Sequence, residues 1–163
     1  GRRGREEGVV HRLTERGQTL ARAESCTGGM SAGRLPDVSG ASAVFGSGFV
    51  TYANEVKIRE LGVPAELLMQ HGAVSREVAA AMAEGCLAVS GADHALAVTG
   101  IAGPTGGSEE KPVGTVFVAL ATRGGGTICR RLFFPGARDR FKLLTSQAAL
   151  DLVRRRLLGL PME

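Results

Sequence analysis

The chain has 163 residues, including 24 glycines, 6 Phe, 1 Tyr and no Trp. No G-X-Y period runs through the glycines, which excludes collagen, and 44% apolar residues exclude a disordered chain. The net charge of +4 rests largely on Arg2, Arg3 and Arg5, so the body is nearly neutral and a nucleic-acid-binding face is not expected.

The length suits a single domain, 1–163, with residues 1–5 disordered ahead of it. Residues 6–17 read as a helix, with Val9, Val10 and Leu13 at helical spacing. Residues 19–23 read as a short strand, and 27–35 as a helix stopped by Pro36. Residues 43–51, rich in Val and Phe, read as a second strand. A helix follows from Asn54, its N-cap, to Leu61, with Gly62 as its stop. A short helix over 64–70 opens with Pro64. The clearest helix is 75–89: Ser75 is its N-cap, and Val78, Met82, Cys86 and Val89 form one apolar face. Residues 94–98, 113–121 and 127–134 are apolar runs, the last two joined by a turn at 124–126 as a hairpin. Residues 137–158 close the chain as a long helix with Phe141, Leu144, Ala148 and Leu152 on one face. Strands alternating with helices give the α/β class. Continuous apolar strands fit a sheet buried on both faces, hence mostly parallel, and the hairpin makes it mixed. About five strands are expected.

The three cysteines, Cys26, Cys86 and Cys129, are odd in number and form no C-x-x-C pair. Neither a disulfide framework nor a cysteine zinc site is expected, and a cytoplasmic, reducing compartment fits. His11, His71 and His94 lack metal-ligand spacing, so no metal or other cofactor is expected. No run approaches a membrane span, and no membrane partner is expected. The chain opens on neither a signal peptide nor a Met, which leaves a missing upstream domain open.

In open α/β sheets ligands bind at the carboxyl ends of the strands. Three loops fall there. In Ala23-Glu24-Ser25-Cys26-Thr27-Gly28-Gly29 a strand runs into Ser25 and a helix begins just after it. Free N–H groups at a helix start suit an oxyanion, and Gly28 and Gly29 permit close approach; a Ser N-cap with a tight turn accounts for the same residues. Cys26 is the rival nucleophile. The segment Thr51-Tyr52-Ala53-Asn54-Glu55-Val56-Lys57 holds the only tyrosine, and places Lys57 in a first helical turn. There the dipole favours the neutral amine a general base needs; an inconsequential surface lysine is the alternative. The loop from Thr99 through Gly100 and Gly103 to Gly107 suits a phosphate or ribose on its backbone, or is a structural crossover. Arg138, beside the start of the last helix, suits a phosphate, or is solvated.

Together these segments, with Gly48-Phe49-Val50-Thr51-Tyr52, His71-Gly72-Ala73-Val74-Ser75 and Lys111-Pro112-Val113-Gly114-Thr115, resemble the CinA C-terminal domain family, the nicotinamide mononucleotide deamidases. The resemblance covers the chain from about residue 5 to its end. It implies a three-layer α/β/α sandwich. It implies hydrolysis of nicotinamide mononucleotide to nicotinate mononucleotide and ammonia, in salvage of pyridine nucleotides. It places the nucleophile on Ser25 and the base on Lys57, with further functional positions at Tyr52, Thr99 and Arg138, where Arg140 is the alternative. Thr27, Gly28, Gly29, Gly100 and Gly103 join the expected substrate-binding set. The partner is then a small nucleotide, and a homo-oligomer is expected. The competing expectation is a non-catalytic nucleotide-binding or regulatory module of a competence-associated protein.

Overall fold

The computed structural model describes residues 2–25 and 40–162. The expected helix over 27–35 lies outside the described residues, as do Cys26, Thr27, Gly28 and Gly29. The strands are β1 (Leu20–Glu24), β2 (Ser47–Val50), β3 (His94–Gly100), β4 (Thr115–Thr122) and β5 (Gly126–Phe133). The described helices are α1 (Arg2–Arg16), α2 (Ala41–Val44), α3 (Asn54–Leu61), α4 (Ala65–His71), α5 (Arg76–Ser90) and α6 (Arg138–Leu158).

The strands form one sheet in the order β2-β1-β3-β4-β5. β1 pairs in parallel with β2 and β3, whereas β4 runs antiparallel to both β3 and β5. Four strands therefore point one way and β4 alone opposes them, the mixed, mostly parallel sheet the sequence implied. Side chains alternate across each strand, so each face builds its own core. On one face Leu20, Leu96, Val98, Val118 and Leu120 pack with Val9 and Leu13 of α1 and with Phe141, Leu150 and Val153 of α6. On the other, Ala21, Ala23, Ala95, Ala97 and Ala119 lie under Val78, Met82 and Cys86 of α5 and under Leu61 and Leu68. The alanine-rich face lets α5 sit close to the sheet. Helices on both faces make three layers.

Four details depart from the expectations. α1 begins at Arg2, taking in residues 2–5 that were expected to be disordered. Residues 41–44, assigned partly to a strand, form the helix α2, because Ala41 and Val44 lie three apart and both bury on the α1 side. Val89 is 55% exposed in the last turn of α5, outside the packed cluster. The buried stripe of α6 is Phe141, Thr145, Ala149 and Leu152, widened by Leu150 and Val153, because this helix packs against both α1 and the sheet. Leu144 and Ala148, expected on that stripe, are half-buried. Two buried hydroxyl residues, Thr145 and Ser146, hide the stripe from an apolar count.

Candidate active site

The carboxyl ends of the three parallel strands lie side by side. The ladder continues past their ends: the Ser25 amide donates to Val98 O (3.2 Å) and the Thr51 amide to Glu24 O (2.8 Å). Ser25, Thr51 and Thr99 are thereby fixed in one row at the end of β1, β2 and β3. α2, which precedes β2, packs on one face of the sheet, whereas α3 and α4, which follow β2, pack on the other. Connections that part to opposite faces open a crevice between the strands.

A cleft of about 260 Å³ occupies this crevice and is lined by Ser25, Tyr52, Lys57, Thr99, Gly100 and Arg138, with Ala73, Val74 and Ala102. The structure thus gathers residues from five separate stretches of sequence. Ser25 Oγ lies 3.3 Å from Thr99 Oγ1 and 3.4 Å from Val98 O. Thr99 is 1% exposed, and its Oγ1 donates to Ala73 O at 2.8 Å. That donation commits the threonine's proton, so its oxygen faces Ser25 as an acceptor.

Lys57 is 1% exposed. Its Nζ turns back along α3 to donate to Thr51 O (2.7 Å) and Tyr52 O (3.4 Å). The N-cap of α3 is Ala53, with no side-chain cap, rather than Asn54 as expected. Lys57 therefore sits one residue deeper in the helix, and its amide bonds to Ala53 O. Tyr52 meets Lys57 through its backbone carbonyl, while its ring stands 64% exposed at the rim.

Arg138, the first residue of α6, reaches across to Gly103 O (3.0 Å). Arg140 instead donates to Pro135 O and does not line the cleft. Of the two arginines, the geometry places Arg138 at the site. The expected glycine loop divides in the same way. Gly100 lines the cleft, but a Cβ there would lie 2.7 Å from Thr115 O, so its bareness serves the β3–β4 pairing. Gly103 has φ of +80°, and a Cβ would meet Val113 at 2.4 Å; it is not a lining residue and acts on the site by holding Arg138.

Several contributors were not legible in the sequence. Thr51, Ala73 and Val74 stand within the sequence motifs without a role of their own there; they shape the site with backbone carbonyls or bulk. Arg22 and Glu24 precede Ser25 on β1 and are both buried. The Arg22 guanidinium stacks on Phe45, 3.1 Å from the ring centroid, and its Nη1 has no hydrogen-bond partner. Burial lowers the Arg22 pKa to about 10, partly opposed by the Glu24 charge. In sequence Leu20-Ala21-Arg22-Ala23-Glu24 looks like an alternating strand with one wet face; the second layer of helices removes that face from water. Among the described residues no group of three or more His, Cys, Asp or Glu is placed to hold a metal ion. No described helix is long and apolar enough to cross a membrane.

Comparison with known proteins follows the same lines. Residues 3–157 match the family model described as the CinA C-terminal domain. A CinA-like protein of Geobacter sulfurreducens is 57% identical over 150 residues, covering 92% of this chain and 36% of that protein. Another, from Geotalea daltonii, is 61% identical over 147 residues, covering 89% of this chain and 35% of its own length. The chain thus spans about a third of the curated relatives it matches. The crystal structure of the competence/damage inducible protein CihA from Agrobacterium tumefaciens superposes with a TM-score of 0.92 at 43% identity, covering 96% of this chain and 94% of that one. A competence-damaged protein (CinA) superfamily structure from Klebsiella pneumoniae gives 0.92 at 34% identity, with 98% and 99% covered.

Proposed function

The chain belongs to the CinA C-terminal domain family, and on that premise we propose that it hydrolyses the carboxamide of nicotinamide mononucleotide, releasing nicotinate mononucleotide and ammonia. The observation that carries this reading is the meeting of Ser25 and a buried Lys57 in one cleft, with Arg138 at its edge.

A serine hydroxyl is a weak nucleophile until a base takes its proton, and a lysine can be that base only as the neutral amine. Thr51 O and Tyr52 O accept from Lys57 Nζ and hold it inside the cleft. In this scheme Lys57 Nζ takes the Ser25 proton as Oγ bonds to the carboxamide carbon. The carbonyl π pair moves to oxygen, which becomes the oxyanion. Thr99 Oγ1, as an acceptor, orients the serine hydroxyl beforehand. Collapse of the tetrahedral species breaks the C–N bond, and the Lys57 ammonium returns its proton to the departing nitrogen as ammonia. Water then adds to the acyl-enzyme with Lys57 again as base, which frees the carboxylate and restores Ser25. Thr27, Gly28 and Gly29, directly after the nucleophile, supply the oxyanion N–H groups in this reading. Arg138 and the N–H groups opening α6 take the substrate phosphate. Tyr52 orients the lysine through its carbonyl. The protein then serves pyridine-nucleotide salvage in the cytoplasm, as a homo-oligomer.

The test is incubation with nicotinamide mononucleotide and measurement of ammonia for the wild-type protein and Ser25→Ala. Release by the first alone supports the scheme. Binding without ammonia from either would overturn it in favour of a non-catalytic nucleotide-binding module.

A further inference from the structure

A second cavity, of about 310 Å³, lies where the first turn of α5 meets β5 and the loop between β3 and β4. Three permanent cations from these separate elements line it: Arg76, Arg131 and Lys111. Glu77 is the one carboxylate in its lining. It already faces a histidine, with Oε2 3.6 Å from His71 Nδ1. The described hydrogen bonds of all three cations go to neutral carbonyls. Arg76 donates to Cys129 O and Arg131 Nη2 to Glu110 O (2.6 Å). Lys111 Nζ donates to His71 O (3.0 Å) and Val74 O (2.5 Å). Carbonyls orient such groups but cancel no charge, so the cavity keeps an excess of positive charge.

We propose that this cavity binds a phosphate group, free or carried by a small organic molecule, and that its occupancy is felt in the Ser25 cleft. Two guanidinium forks and one ammonium converging on a pocket suit a phosphate dianion better than a single carboxylate. The volume leaves room for more than a lone ion. The wall between the two cavities is the His71–Ser75 segment. On its far side Lys111 holds the Val74 carbonyl. On its near side Ala73 and Val74 line the Ser25 cleft, and Ala73 O takes the Thr99 hydroxyl that sits 3.3 Å from Ser25 Oγ. A phosphate competes with His71 O and Val74 O for the Lys111 ammonium. The wall is then held by one clamp fewer, and the cleft's grip on its substrate weakens. Only this last consequence rests on the proposed function.

The experiment is a titration with inorganic phosphate at constant ionic strength, followed through the amide NMR signals of residues 71–77, 111 and 131. Wild type, Arg138→Ala and Arg131→Gln are compared. Saturable shifts of this set are expected in wild type and equally in Arg138→Ala, which removes the cleft's own arginine. Arg131→Gln, at an exposed position, should weaken the apparent affinity about tenfold, as expected for one lost charge-assisted contact. Arg76→Gln is the second variant with the same expectation. Still signals in wild type, shifts that vanish in Arg138→Ala, or an affinity unchanged in both charge variants would each overturn the proposal. Repeating the titration with adenosine monophosphate separates the sources: tighter binding marks a phosphomonoester, equal binding the free ion. None of these readouts needs amidase activity, so a failed ammonia assay leaves them interpretable.

Discussion

The two ends of β1 and β3 bury polar groups in opposite ways. At the amino ends His94 is 3% exposed, with Nε2 2.8 Å from Gln18 Oε1 and Nδ1 3.1 Å from Thr122 Oγ1. Beside it Asp93 accepts from the Thr19 amide at 2.8 Å. Both ring nitrogens have side-chain partners and the ring is buried, so this end serves the fold. At the carboxyl ends of the same strands, Ser25, Thr99 and Lys57 are held by backbone carbonyls while bordering an open cleft. Burial of a polar group therefore says little alone. What separates support from chemistry is whether the group borders a space a ligand can enter.

The sharpest way to break this contrast is at the cleft itself. Ser25→Ala should reduce ammonia release by at least about a thousandfold, the scale seen when a nucleophile is removed elsewhere, with the melting temperature nearly unchanged. Cys26→Ala should retain activity, and Lys57→Met should fold and be as inactive as Ser25→Ala. Steady-state ammonia assays with thermal melts check all three.

Thr99→Val comes next in size. It removes the acceptor near Ser25 Oγ and leaves Ala73 O without its donor. A fall in kcat of roughly 10–100-fold is expected, with about 1–2 kcal/mol lost in denaturant unfolding. Arg138→Ala should act on binding: KM rises about tenfold with kcat little changed, whereas Arg140→Ala leaves both near wild type. Equal effects of the two arginines would remove the distinction drawn from their contacts.

The closed end should respond to pH instead. Burial lowers the His94 pKa below its ordinary value of 6.5. The unfolded chain then binds the proton more readily than the folded one. The stability from a neutral His94 is complete above pH 6.5 and falls as pH drops from there toward the lowered folded value. Melting temperatures between pH 7.5 and 5 should show the fall, and His94→Gln should flatten it. This is the smallest effect, and it should appear equally in the Ser25→Ala protein.

Much of this was readable from the chain. α3 spans Asn54–Leu61 and ends at Gly62, as the apolar spacing and the glycine stop require. Ser75 caps α5 by accepting from the Val78 amide. These features are local, set by backbone hydrogen bonding within a few residues. The α6 stripe departs from the apolar spacing because buried Thr145 and Ser146 carry no apolar signal, and the burial of Arg22 and Glu24 comes from tertiary packing that no local pattern marks.

The sequence by itself determined the α/β class, most of the elements, the family and the candidates Ser25, Lys57, Tyr52, Thr99 and Arg138. Those depend on local periodicity and on motifs read in order. Only the tertiary structure decided that these candidates share a cleft, that Arg138 rather than Arg140 borders it, and that Gly100 and Gly103 serve their own neighbours. It also decided that Lys57, on a short and largely exposed helix, is buried to 1%. Burial and proximity arise from strands brought together across 74 residues of chain, as between Ser25 and Thr99, and no local pattern records that distance.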